Sequence, residues 1–482
     1  MKKINTCNDN IFALSTPVGG AIAVIRASGS GVLPVLREIF SVRIEHRQGN
    51  YGKITDRIEP DGGQGEERKE NDTGALAVLD EAMAVYFRAP HSYTGEDMFE
   101  LNLHGSYSVV SAVSRALTRR EMRLAEAGEF TKRAFLNGKM DLVQADAVMD
   151  LINAETRRGA SAALEQLEGG LSRRIGAIEE KLLDFASELA AAMDYPEEME
   201  DEVLSAAPEG LNSAISRIRD LIDNGNCNKI IREGAKLAIL GRPNVGKSSL
   251  LNALMNAERA IVTNIAGTTR DVLEEKIDLL GLPVRIADTA GIHETGDAVE
   301  KIGIERALHE AASAECVLLL FDGSAGITQE DERLVQKVFG MNCRNIIFVI
   351  NKCDLSDCGT AAEQLKNIAP ENGGGISRIS CRTGFGLDEL KHRIAEAVGL
   401  SEGRAIVTNE RHIECLSAAC AELCEAAELF SKGGNAAEML LPQTELVAES
   451  VGNALHCLGE ISGREVSEEL LDRIFERFCV GK

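Results

Sequence analysis

Short apolar runs set the pattern of the first 140 residues. Ala21–Ile25, Ala82–Phe87 and Phe99–Leu103 read as strands and Tyr107–Leu117 as a helix, which predicts an α/β or α+β module. Between them, Glu59–Asp72 holds no residue that can enter a core and is expected to be a solvated loop. From about Asp141 to Ile231 the period lengthens: Leu142, Ala145, Val148, Met149 and Ile152 recur at helical spacing. Pro196 and the acidic run Glu197–Glu202 interrupt it and predict a loop between helices. Leu237–Leu240, Val284–Ala287, Val317–Phe321 and Ile346–Ile350 are then short apolar strands separated by helix-length segments, the alternation of a parallel sheet covered on both faces. From about Asn409 to Phe478 the pattern is helical again, with Gly433–Gly434 as the one clear break. The expected architecture is an N-terminal α/β module followed by a doubly wound α/β domain inserted between two helical blocks, which pack together as one discontinuous domain.

Composition narrows the function classes. A chain of 482 residues suggests about three domains, and 44% hydrophobic with 27% charged residues fits neither a disordered nor a membrane-embedded chain. No apolar run approaches the ~18 residues of a membrane span, and no apolar stretch follows Lys2 and Lys3 as a secretory signal would require. The twelve cysteines include no CxxC pair, so they are expected to be reduced thiols in a cytoplasmic setting. Cys415, Cys420 and Cys424 read as small buried apolar residues of one helix. A net charge of −24 argues against coating nucleic acid non-specifically, and 4% aromatics without Trp disfavours base-stacking platforms. The acidity is uneven, because residues 1–140 balance at 18 basic and 18 acidic side chains. Arg115, Arg119, Arg120, Arg123, Lys132 and Arg133 gather in that neutral segment, the expected place for a local RNA contact.

Gly241–Ser248 spells GRPNVGKS after a strand and before a helix. Its glycines let backbone N–H groups close around phosphates, Lys247 reaches the β/γ oxygens and Ser248 can ligate Mg2+. Asp288–Gly291 (DTAG) follows the next strand and offers a carboxylate near the Mg2+ and a glycine N–H near the γ-phosphate. In Asn351-Lys352-Cys353-Asp354 the final carboxylate can accept both N1–H and N2–H of guanine, and Ser380-Cys381 fits a loop whose backbone N–H reads the guanine O6. Together they predict a GTPase. Ras-like enzymes place a water-orienting Gln directly after the DxxG motif, whereas this chain has Ile292. Either hydrolysis is impaired or another residue and another charge do the work. Thr269, after Gly267 and Thr268, is a candidate second Mg2+ ligand. Arg270 reads as an internal arginine finger or as an ion-pair partner of Asp271.

More motifs carry a resemblance: Thr16–Gly20 (TPVGG) with Ala23–Arg26 (AVIR), Tyr93–Asp97 (YTGED) continuing to Glu100 and His104, Gly128–Lys139 (GEFTKRAFLNGK), and the terminal Phe478–Lys482 (FCVGK). With the G-domain motifs, the chain resembles over essentially its whole length the tRNA-modification GTPase family MnmE, also called TrmE. The family end usually has Ile where this chain has Val480. The resemblance implies an N-terminal folate-binding and dimerisation domain over residues 1–138, a helical domain from 139–233 and 405–482, and a Ras-like P-loop G domain over 234–404. It implies nucleotide contacts at Asn244, Val245, Gly246, Lys247, Ser248 and Ser249, at Thr263, Asn264, Ile265, Ala266, Gly267, Thr268 and Thr269, at Asp288, Thr289, Ala290 and Gly291, and at Asn351, Lys352, Asp354, Ser380 and Cys381. Mg2+ falls to Ser248 and Thr269, and a K+ ion to Asn244, Thr263, Ile265 and Thr268. That ion supplies the charge of an arginine finger, and Glu300 matches the family's general base, with Asn244 and Lys247 beside it in catalysis.

The resemblance further implies 5-formyl- or 5,10-methylene-tetrahydrofolate at Arg26, Glu100, Lys139 and Lys482. A carboxylate suits pterin N–H donors, and Arg and Lys suit the glutamate carboxylates. Cys479 is a candidate reactive thiol, a packing role being the alternative. The implied assembly is a homodimer that joins an FAD-containing MnmG (GidA)-type partner as a heterotetramer and acts on C5 of the wobble uridine (position 34) of tRNA. The competing reading is a ribosome-assembly GTPase of the Era or EngA kind. Such proteins follow the G domain with a basic RNA-binding module, whereas residues after 400 here are acidic and helical.

Overall fold

A computed structural model describes residues 9–57, 76–194, 196–257, 275–287, 308–341, 343, 345–368, 375–399, 409–432 and 441–481. The chain divides into two compact units, one of residues 1–149 with 462–482 and the other of residues 150–461.

The first unit is built on six strands: β1 (Ile11–Leu14), β2 (Ile22–Ser28), β3 (Gly49–Arg57), β4 (Leu76–Phe87), β5 (Met98–His104) and β6 (Arg123–Leu124), in the order β3-β4-β5-β2-β1-β6. All neighbours are antiparallel except β1 and β6. Alternation sorts the side chains. Ala23, Ile25 and Ala27 of β2, with Phe99, Leu101 and Leu103 of β5, enter a core closed by the helices Val32–Ile39 and Tyr107–Thr118. Arg26 and Glu100, one step out of phase, stand directly opposite each other on the other face of the sheet. Residues from both ends of the sequence complete this unit. Leu142 and Ala145 pack with Leu471, Phe475 and Phe478, and Ala127 forms a β-bridge with Val480. The proposed loop at Glu59–Asp72 lies outside the described residues.

The second unit contains the sheet β7 (Ala235–Leu240), β8 (Glu275–Leu279), β9 (Leu282–Ala287), β10 (Cys316–Asp322), β11 (Ile346–Asn351) and β12 (Ile376–Arg378), ordered β12-β11-β10-β7-β9-β8. Only the β8–β9 pair is antiparallel. Leu237, Ile239, Leu318, Leu320, Ile347 and Val349 face one core, while Ala238, Leu240, Val317, Leu319, Ile346 and Phe348 face another. This two-sided burial makes the central strands read as unbroken apolar runs. Strand order reverses beside β7, where the loop after its carboxyl end lies at the topological switch point of an open α/β sheet.

The helical blocks do pack together. The helices Gly170–Asp194, Pro196–Glu233 and Glu410–Lys432 form one bundle, joined by Phe185 against Phe430 (centroids 6.3 Å) and by Arg219 donating to Cys424 Sγ at 3.3 Å. Two expectations fail. Pro196 and its acidic run are not a loop but the opening of the long helix Pro196–Glu233. Proline's missing N–H costs nothing in the first turn of a helix. Nor is Gly433–Gly434, outside the described residues, the one break. Gly463 (φ +84°) stops the helix Leu441–Ser462, and Ser467 caps the helix Glu468–Phe475 by accepting the Leu470 N–H. Two of the cysteines, Cys353 and Cys358, stand paired and placed to form a disulfide, with Cα atoms 5.7 Å apart. Cys415 and Cys424 are half-buried and Cys420 buried in their helix. Among the described residues, no helix is long and apolar enough to cross a membrane.

Candidate functional sites

Three loops converge at the carboxyl ends of β7, β10 and β11. Between β7 and the helix Lys247–Ala257, the loop turns left-handed at Asn244 (φ +64°) and Gly246 (φ +105°). For Asn244 such a backbone is costly and persists only where its surroundings hold it. They do: Lys352 Nζ donates to the Asn244 carbonyl at 2.8 Å and pairs with Asp322 at 2.6 Å, and Asn351 Nδ2 donates to the Val245 carbonyl at 3.0 Å. Asn351 is itself buried, and its Oδ1 accepts the Cys381 N–H at 3.2 Å. One side chain therefore ties the phosphate loop to the loop after Ile379. Lys247 donates to the carbonyls of Gly241 (2.7 Å) and Arg242 (2.9 Å), folded over the loop it belongs to.

The end that carries the NKxD motif is equally organised. Ser380 Oγ donates to one Asp354 oxygen and Arg382 to the other, both at 2.7 Å, and these partners, the Ser380 hydroxyl foremost, hold the Asp354 carboxyl below its ordinary range. Asp354 is therefore an acceptor at neutral pH, as reading N1–H and N2–H of guanine requires. Burial pushes the Cys381 thiol up to about 11, so it is not a thiolate at neutral pH. Ser248 and Ser249 stand exposed at the start of the helix. Residues 263–269, Asp288–Gly291 and Glu300, as well as Arg270 and Ile292, lie outside the described residues. The cradle fits a nucleotide: a Cβ on Gly246 would stand 2.3 Å from Asn351 Nδ2, so the backbone there is kept bare where phosphates would approach.

Arg242 was not singled out by the motif. Inside the phosphate loop it pairs at 2.7 Å with Asp331, which is fully buried and also closes the capping box of the helix Gln329–Phe339 with Thr328. The pair spans 89 residues of sequence, and a capping box alone gives no hint of it.

In the first unit, Arg26 donates through Nε and Nη2 to Glu100 at 2.9 and 2.8 Å, with its guanidinium over the rings of Tyr93 (5.3 Å) and Phe130 (5.9 Å). The Gly481 carbonyl accepts from Ser15 Oγ at 3.1 Å and from Arg26 at 3.5 Å. An ion pair walled by aromatic rings fits a flat heterocycle with a polar edge. Lys139 donates to the Pro90 carbonyl at 3.0 Å, and its stem lies against Gly95. Cys479 is exposed one residue before the bridge at Val480. Lys482 lies outside the described residues.

Most of the basic side chains that gather in this unit are engaged by carboxylates. Arg119 and Arg120 both pair with buried Asp56, Arg123 with Asp9 and Glu129, Lys132 with Asp472, and Arg133 with Asp9, Glu96 and Glu129. Arg115 donates to Ser111 Oγ at 2.9 Å. A balanced segment places carboxylates as close as its arginines, and burial selects the pairs.

A doubly wound sheet with a GxxxxGKS loop at its switch point and an NKxD motif on a neighbouring strand end defines a P-loop G domain. The family profile "MnmE helical domain" matches residues 142–479, and "GTP-binding protein TrmE N-terminus" matches residues 10–139. Proteins called "tRNA modification GTPase MnmE" are similar over nearly the whole chain. That of Aquifex aeolicus is 40% identical over 98% of this chain and 99% of its own length. That of Moorella thermoacetica is 40% identical over 98% and 100%, and that of Lactobacillus delbrueckii subsp. bulgaricus 39% identical over 98% of each. The chain belongs to the MnmE (TrmE) family.

Proposed function

We propose that this protein is a GTPase of tRNA modification, activated by K+, which with a flavin-containing MnmG-type partner builds an aminomethyl or carboxymethylaminomethyl group on C5 of the wobble uridine from a tetrahydrofolate one-carbon unit. The observation that carries the reading is the convergence of the phosphate loop, Asn351 and Asp354 in the second unit, in a chain whose first unit holds the aromatic-walled Arg26–Glu100 pair. Family membership over the full length supports the tRNA-modification part.

In this reading the backbone N–H groups of residues 244–249 and Lys247 hold the phosphates, while Asp354 and the Cys381 N–H select guanine. Ser248 and Thr269 hold Mg2+, and K+ supplies the charge that an arginine finger otherwise would. Asn244, Thr263, Ile265 and Thr268 hold the K+, and Glu300 accepts the proton of the attacking water. The left-handed backbone at Asn244 supports its part, since Lys352 fixes that residue's main chain independently of its side chain. In the first unit Arg26, Glu100, Lys139 and Lys482 bind the folate, and Cys479 is a thiol at its margin. The working division is an N-terminal domain over residues 1–138, a helical domain over 139–233 and 405–482, and a G domain over 234–404, acting as a homodimer in the cytoplasm. Mass analysis of wobble-uridine nucleosides from a strain lacking the gene tests this: loss of the C5 modification is expected, and an unchanged nucleoside profile would refute it.

A further inference from the structure

The guanine-reading loop contains a feature that GTP hydrolysis does not require. Cys353 and Cys358 are paired in disulfide-forming positions, with Cα atoms 5.7 Å apart and a sequence separation of five. That distance is ordinary for a disulfide. The ring they close encloses Asp354, the carboxylate placed to read guanine. Its walls are fixed at both ends. The Cys353 N–H donates to the Ile379 carbonyl at 3.1 Å, one residue before the Ser380 that holds Asp354. Ser356 Oγ donates to the Gly323 carbonyl at 2.9 Å, and a Cβ on Gly323 would stand 2.5 Å from Cys358 Sγ. The two sulfurs differ in access: Cys353 is half-buried, whereas Cys358 is only 3% exposed. Just ahead of the ring the chain passes left-handed through Lys352 (φ +66°), a conformation held by the same Lys352 contacts that reach Asp322 and Asn244.

We propose that Cys353–Cys358 is a thiol–disulfide modification site that sets guanine-nucleotide affinity through the loop bearing Asp354. The inference rests on the reading of Asp354 as the guanine acceptor. The co-reactant is a small thiol and its disulfide, such as glutathione. For reduction, a thiolate attacks Cys353 Sγ, the more accessible sulfur, and the S–S bond breaks with its electron pair leaving on Cys358 Sγ, which takes up a proton. A second small thiolate then attacks the mixed disulfide and frees Cys353 as a thiol. The sum is protein disulfide plus two RSH giving two protein thiols plus RSSR, and oxidation is the reverse. In the disulfide state the ring restricts the backbone around Asp354, so guanine meets a carboxylate already in place. Opening the ring returns those residues their freedom, and binding must order them again.

The test uses the full-length protein equilibrated in reduced and oxidised glutathione buffers, with mass analysis of the fragment spanning Cys353 and Cys358 after alkylation. Binding of fluorescent GDP is then measured in each state. The expected result is about tenfold tighter binding by the disulfide form, equivalent to about 1.4 kcal/mol. The Cys358→Ala variant is expected to bind like the reduced wild type and to ignore the buffer. Equal affinities in the two wild-type states, an equal response in Cys358→Ala, or free thiols across the whole redox range would each overturn the proposal. Failure of GDP to bind in either state would instead refute the guanine reading on which it stands.

Discussion

Adding one methyl group at Gly246 tests the phosphate cradle directly. Gly246 has φ +105°, which an L residue adopts at a cost of about 1–2 kcal/mol. A Cβ there would also stand 2.3 Å from Asn351 Nδ2, closer than any stable contact. Asn351 can withdraw only by giving up its bond to the Val245 carbonyl and the Cys381 N–H that it accepts. Each buried group left unpaired costs about 1–3 kcal/mol. The apo loop of Gly246→Ala can relax away from the clash, but nucleotide binding must restore the wild-type backbone. The penalty, about 3–8 kcal/mol, therefore appears as lost affinity, about a hundredfold or more. Titration with fluorescent GDP reads it, and a circular dichroism melt shows that the fold persists. An intact fold with GDP affinity within about twofold of wild type would refute the packing argument, since each 1.4 kcal/mol is tenfold.

Four further outcomes are expected. GTP turnover in K+ exceeds that in Na+ at equal ionic strength, and equal rates would remove the ion assigned to Asn244. Glu300→Ala keeps GTP binding and loses hydrolysis by about 10²-fold or more; an unchanged single-turnover rate excludes it as the base. Calorimetric titration with 5-formyltetrahydrofolate saturates in wild type and is abolished in Arg26→Ala, whereas heat-free wild type contradicts the folate site. The first unit loses stability in acid. Asp9 is raised by burial, but Arg123 and Arg133 outweigh this and bring it from 3.8 to about 2, and Glu129 in the same network is also lowered. Carboxylates depressed in the folded state contribute stability that is full above pH ~4 and lost as pH falls toward 2. Urea midpoints that stay constant over that window would contradict the network.

How much of this was readable in the sequence depends on how local each cause is. β10 and β11 announce themselves because both faces are buried, so every position is apolar. β8 and β12 do not, being short edges of the same sheet. Pro196 was read as a break because proline interrupts helix interiors, yet at a first turn it begins one. At the candidate nucleotide site, motif spacing brings Asn351, Asp354 and Ser380 into view, since each lies at or just beyond the end of a strand. Arg242–Asp331 is held by tertiary geometry with no periodic trace. The pairing within the basic cluster is hidden for a related reason. Counting charges gives the balance of a segment but not its pairing, and Asp9, Asp56, Glu96 and Glu129 engage the arginines that composition left open.

The seam at Ala127 and Val480 has a consequence for how the protein is made. Ser15 and Arg26 meet Gly481 across 466 and 455 residues, and the helix Glu468–Phe475 lends Leu471 and Phe475 to a core shared with Leu142 and Ala145. Synthesis runs from the N-terminus at about 5–20 residues per second. The second unit emerges whole, while the first, begun earliest, waits for the last residues to leave the ribosome. A nascent first unit thus holds Ala127 without its bridge partner Val480 and an apolar surface at Leu142 uncovered for the better part of a minute. The unit translated first is the last to be finished.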